Sequence, residues 1–199
     1  MIPTLEQISK TAKIHPFKIK GCYIFGSRVY LTNSPESDWD IILVANNSVN
    51  EVEIKTTELN IHVITPDAFS KLVEDNHIKA IECLFAPSWA ILKPFDIEFT
   101  YKPASFRHNV SQTVSNSWVK ARKKIELENE PHIGIKSLFH SLRIANFGIQ
   151  FAKTGKIDFT AMNDVWKDIS TSKVDWKEFK DKYQPLRNEL LTEFRKVCS

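Results

Sequence analysis

The chain has 199 residues, 42% hydrophobic and 26% charged, which suits a soluble globular protein of one large or two small domains. A formal charge of +3 is compatible with a phosphate-bearing ligand but too slight to argue for nucleic acid by itself. Three cysteines, Cys22, Cys83 and Cys198, are widely separated and lack metal-ligand spacing, which argues for a reduced, cytoplasmic protein and against zinc. MIPTLEQISK is not a secretory leader, and no apolar run reaches membrane-spanning length, so no membrane partner is expected.

Thr4 to Gln7 fits a capping box, and Leu5, Ile8 and Ala12 follow at helical spacing, so a first helix should end near His15-Pro16. A strand over 18–25 then leads into Gly26-Ser27. Glycine lets the backbone bend sharply there, and a short helix opening on this turn would present N–H groups and a hydroxyl to a phosphate. Asp38 and Asp40 open a second apolar strand, DWDIILV. If that strand is extended, the two carboxylates share a side, and a hard cation such as magnesium would relieve their repulsion. Taken singly, these residues read as a turn, a helix cap and the solvated edge of a strand. Their joint order and spacing read as a nucleotide-metal site.

The run GSRVYLTNSPESDWD resembles the signature of the polymerase-beta-like nucleotidyltransferase superfamily, Gly-Ser followed by a loop and Asp-x-Asp. Within it the chain is most similar to minimal bacterial and phage members that carry GSRVYGT, with Leu31 where that subgroup has glycine. The resemblance implies transfer of a nucleoside monophosphate from a nucleoside triphosphate such as ATP. Magnesium or manganese would sit on Asp38 and Asp40, and Gly26, Ser27 and Arg28 would hold the terminal phosphates.

Asn46-Asn47-Ser48 should form a turn after the strand over 41–45, and alternation over 52–54 and 59–63 suggests two further strands or one bent strand. Glu58, Asn60 and His62 would share a face of the later stretch. The superfamily places a third carboxylate on this strand, and the subgroup's Asp followed two residues later by His falls on Asn60 and His62. An amide oxygen can ligate a metal but is no base, so Asn60 departs from the full catalytic set. Glu58 lies about 7 Å along the strand as a substitute. His62, with no second ligand at metal spacing, reads as a hydrogen-bonded core or edge residue. Thr65-Pro66 starts a helix, a second apolar helix spans 78–85 with Glu82 in a structural role, and 89–92 reads as a short edge strand.

Pro87, Pro94 and Pro103 place a boundary near residue 100. Helices then follow at about 105–128, 133–153, 160–170 and 175–197, broken at Pro131, Thr154-Gly155 and 170–172. In the second of these, Ile135, Leu138, Phe139, Leu142 and Ile149 form a core stripe, with Lys136, His140 and Arg143 on an adjacent face. Spacing alone makes those three a solvated basic face. KSLFHSLRIANFGIQFAKTGKIDF, however, is similar to the C-terminal helices of the same subgroup, which implies a row of groups facing the nucleotide. Arg122-Lys123-Lys124 and the glutamates after it read as a solvated helix end, and Trp118, Trp166 and Trp176 as core or interface.

The expected fold is therefore α/β (α+β): a small mixed sheet with flanking helices over 1–100, the nucleotidyltransferase catalytic domain, and a C-terminal helical bundle over 101–199. The expected function is nucleotidyl transfer to an acceptor hydroxyl on a small molecule, a protein or RNA, and the pattern admits a homo-oligomer. The alternative that Asn60 raises is a catalytically weakened nucleotide-binding module, or, by family analogy, an antitoxin-like partner protein.

Overall fold

The structure is a computed structural model that describes residues 1–46 and 51–198. Asn47 and Ser48, two of the three residues of the expected turn, lie outside the described residues. The chain divides into two compact units, Met1–Thr100 and Tyr101–Ser199.

The first unit opens on α1 (Leu5–Ala12). Its capping box is complete: Thr4 accepts from the Gln7 backbone while the Gln7 side chain accepts from the Thr4 N–H. Four strands follow, β1 (Ile19–Phe25), β2 (Trp39–Ala45), β3 (Glu51–Lys55) and β4 (Leu59–Ile64), then α2 (Pro66–Glu74), α3 (Ile78–Leu84) and the edge strand β5 (Ile91–Lys93). Thr65 caps α2 with Pro66 at its first position, as its sequence predicts.

The sheet is mixed and five-stranded, in the order β3-β4-β2-β1-β5. β2 runs parallel to β4, and the β1–β2, β3–β4 and β1–β5 pairs are antiparallel. Strand alternation sends Tyr23, Ile42, Val44 and Ile64 to one face, where they form a core with Phe69 and Val73 of α2 and Ala80 and Cys83 of α3. Ile41, Leu43, Ile61 and Val63 are buried on the other face. Both faces of β2 are thus covered, which is why its sequence is a continuous apolar run.

The second unit is helical: α4 (Pro103–Glu126), α5 (Pro131–Thr154), α6 (Asn163–Thr171) and α7 (Trp176–Val197). The Pro131 and Gly155 punctuation brackets α5, with Gly155 taking the left-handed conformation (φ 66) as its C-cap. Ile135, Leu138, Phe139, Leu142 and Ile149 are all buried, as the stripe predicts. Trp118 meets Trp176 at 5.1 Å between ring centroids, and Trp166 meets Phe139 at 5.2 Å. The end of α4 is laced by ion pairs among Arg122, Lys123, Lys124, Glu126, Glu128 and Glu130. No helix among the described residues is long and apolar enough to cross a membrane.

Candidate active site

The site starts where β1 ends. Gly26 is buried and sits at φ +79, a conformation glycine adopts without steric cost. The chain does not enter the expected short helix. It closes a single turn in which the Val29 and Tyr30 N–H groups donate to the Gly26 carbonyl at 3.0 and 3.2 Å, and Thr32 N–H donates to the Ser27 carbonyl at 2.9 Å. The turn is cut short at Leu31, whose φ of 57 ends the helical path. Leucine pays a steric cost there that glycine would not, and its side chain stays exposed.

Asp40 lies opposite Phe25 on β1 and opposite Asn60 on β4, and Asn60 in turn lies opposite Lys55 on β3. The Asp40 carboxylate fills the space a side chain at position 26 would take: a Cβ on Gly26 would come 2.1 Å from its Oδ2. Its Oδ1 accepts from Asn60 Nδ2 at 3.2 Å. Asn60 Oδ1 is buried without a hydrogen-bond partner. Asp38 is half-buried and stands just before β2. The fold thus brings Gly26, Asp40 and Asn60 together, with Asp38 one residue beyond the strand end.

These donors fit a hard divalent cation. The Asp40 carboxylate and the buried Asn60 amide oxygen are donors of the kind magnesium takes, and Asp38 brings a second carboxylate two residues before Asp40. No group of three or more His, Cys, Asp and Glu side chains suited to a metal occurs among the described residues, so the donor set is short of a third carboxylate. Glu58 does not lie on the strand with Asn60. It falls in the β3–β4 turn, because the Thr56 hydroxyl accepts from the Glu58 and Leu59 N–H groups at 3.3 and 2.9 Å and ends the extended path. Its side chain is exposed, while its carbonyl accepts from Trp39 N–H at 2.8 Å.

Arg28 has a destination the sequence did not reveal. Its Nε donates to the Asp38 carbonyl at 3.2 Å, its Nη2 donates to the Ser37 carbonyl, and its guanidinium carbon sits 4.4 Å from the centre of the Trp39 ring. Tyr30 is buried and donates to Glu82 Oε1 at 2.8 Å, so Glu82 anchors the Gly-Ser turn from α3. His62 is structural in its surroundings, 3.7 Å from Glu53 and edge-on to Phe25, with burial pushing its imidazole below the ordinary value.

Lys136, His140 and Arg143 lie on α5 of the second unit and do not form an exposed cationic row. Lys136 is exposed, His140 is half-buried and Arg143 is buried among Phe139 and Phe147, 5.8 and 5.3 Å from their ring centres. Arg143 Nη2 lies 2.8 Å from His140 Nδ1. A guanidinium only donates, so Nδ1 accepts and the imidazole is neutral, with its proton on Nε2. Burial, followed by the charges of Arg143 and Lys120, pushes His140 down to about 3. The expected third cation is therefore a neutral ring. As pH falls below about 6.5, the unfolded chain takes up a proton that folded His140 refuses, so stability falls with it. Urea unfolding should show a loss of about 1.4 kcal/mol from this group between pH 7.5 and 5.5. His140→Gln should remove that share of the loss, and an unchanged pH slope would refute it.

The family model described as "Polymerase beta, Nucleotidyltransferase" matches residues 6–85, which hold the Gly-Ser turn, the acidic pair and Asn60. Residues 6–85 belong to the polymerase-beta-like nucleotidyltransferase superfamily. No curated protein matches the chain. The nucleotidyltransferase match covers β1 to β4 together with α2 and α3, and it ends at Phe85, one residue past the α3 end.

Proposed function

We propose that the protein transfers a nucleoside monophosphate from a nucleoside triphosphate to an acceptor hydroxyl. Residues 1–100 act as the catalytic domain and residues 101–199 as a helical domain. The observation that carries this reading is the Asp40 carboxylate lodged in the cradle left by Gly26, beside the unpartnered oxygen of Asn60.

Asp38 and Asp40 hold a magnesium or manganese ion. That ion, when bound, neutralises phosphate charge and polarises the reacting phosphoryl group. Gly26 and Ser27 receive the terminal phosphates, because a glycine turn lets the backbone approach them closely. The acceptor oxygen attacks the α-phosphorus, the bond from that phosphorus to its bridging oxygen breaks, and pyrophosphate leaves. The acceptor's proton departs to solvent, since the Asn60 amide has no basic oxygen to take it.

A second reading is favoured by one residue. Asn60 stands in register with Asp40 where a carboxylate base is expected, so the protein binds metal-nucleotide with little or no turnover. Both readings share a binding site, and calorimetric titration of each nucleoside triphosphate with magnesium tests it. Wild type should bind, and the Asp38→Ala, Asp40→Ala double variant should lose binding by about a hundredfold or more while staying folded. Equal binding by both proteins would end the proposal. Labelled-nucleotide transfer then separates the two readings.

A further inference from the structure

Resting on the assignment of Asp38 and Asp40 to a metal, we propose that Arg28 is a positioning residue that locks the backbone of Asp38, and not a ligand of the triphosphate. One guanidinium touches three consecutive residues: it donates to the Ser37 carbonyl from Nη2 and to the Asp38 carbonyl from Nε at 3.2 Å, and it lies over the Trp39 ring at 4.4 Å.

The need for such a lock follows from where Asp38 sits. β2 begins at Trp39, whose N–H donates to the Glu58 carbonyl, so the strand ladder fixes Trp39 and Asp40 and stops short of Asp38. Residues 32–38 have no regular structure and are tied internally by local bonds such as Ser34 N–H to Ser37 Oγ at 2.9 Å. Asp40 is placed by the sheet and by Asn60. Asp38 is placed by Arg28. A carboxylate that must share a metal with a strand-held partner loses affinity if its own backbone drifts, and Arg28 removes that freedom from the far side of the turn.

Arginine suits this task and lysine does not. A planar fork can donate to two adjacent carbonyls while stacking on an indole, whereas an ammonium is a single point of charge. A phosphate ligand at the same position would tolerate lysine far better, since lysine binds phosphate well as a point charge. The two roles also differ in what they do without nucleotide: a phosphate ligand leaves the affinity for free metal untouched, and a residue that holds Asp38 does not.

The test is a titration of Mn2+ alone, followed by electron paramagnetic resonance, on wild type, Arg28→Lys and Asp40→Ala, with melting curves on the same samples. Wild type should bind Mn2+, Asp40→Ala should abolish binding, and Arg28→Lys should weaken it about tenfold in the absence of any nucleotide. Trp39→Leu, which removes the ring beneath the guanidinium, should weaken it in the same direction and serves if Arg28→Lys does not fold. Wild-type Mn2+ affinity in a folded Arg28→Lys, with loss confined to triphosphate binding, would overturn the inference while leaving the metal site standing. Failure of wild type itself to bind Mn2+ would overturn the metal assignment and the inference with it.

Discussion

Gly26→Ala should abolish the metal-dependent nucleotide binding proposed above and destabilise the protein by about 3 kcal/mol, because two costs coincide at one carbon. The first is conformational: φ +79 lies in the left-handed region, where a Cβ meets its own backbone. The second is steric and falls on the site itself. The added methyl would lie 2.1 Å from Asp40 Oδ2, 2.8 Å from its Cγ and 2.9 Å from its Cβ, so the whole side chain has to move. Once it moves, the bond from Asn60 Nδ2 to Asp40 Oδ1 is lost, and with it the common orientation of the two oxygen donors. Urea unfolding reads the first cost and Mn2+ titration the second. A Gly26→Ala protein that binds metal like wild type would show that Asp40 does not act from the position seen beside the turn.

Asn60→Asp has the opposite character, costing stability without metal and adding activity with it. The substitution replaces a donor to Asp40 by a second carboxylate in register with it. Two adjacent carboxylates cannot both ionise cheaply, so the pair titrates above the ordinary range. A folded-state value raised above that of the unfolded chain makes the variant least stable above that raised range, and stability is recovered as pH falls through it. Magnesium should relieve the same repulsion, so the melting temperature of Asn60→Asp should respond to magnesium more strongly than that of wild type. For the proposed transfer, the new carboxylate should also act as the base that Asn60 cannot be, worth about a hundredfold to ten-thousandfold in rate. A variant whose melting temperature and turnover both ignore magnesium would remove Asn60 from the site.

Much of this architecture is legible because local chemistry determines it. The Thr4 capping box, the Thr65-Pro66 start of α2 and the Pro131 and Gly155 limits of α5 are each fixed by residues within a turn of one another. The common face of Asn60 and His62 is legible from strand alternation, but their register against Asp40 and Ile42 is not, because a shift of two residues would bury the same apolar positions. What the sequence hides depends on where long side chains end. Nothing in SRV indicates that Arg28 turns to the carbonyls of Ser37 and Asp38, because that geometry exists only after the loop has closed. The placement of Glu58 in a turn depends on one Thr56 hydroxyl, and the neutrality of His140 depends on the burial of Arg143 beside it. Leucine itself carries no turn signal, yet Leu31 holds the left-handed position that the glycine of the GSRVYGT pattern would suit.

The bond between Tyr30 and Glu82 sets an order on the making of this protein. It joins residues 52 apart, and the Asp40–Asn60 contact joins residues 20 apart. During synthesis the Gly-Ser turn and the acidic pair emerge early. The bond from Asn60 to Asp40 must wait for β4, and the anchor on Tyr30 must wait until α3 has cleared the ribosome and docked. Contacts of such separation close slowly, since the intervening chain must first be ordered. A nascent chain ending before Glu82 therefore carries the Gly-Ser and Asp-x-Asp signature without the anchor on Tyr30, which closes when the last helix of the matched segment arrives.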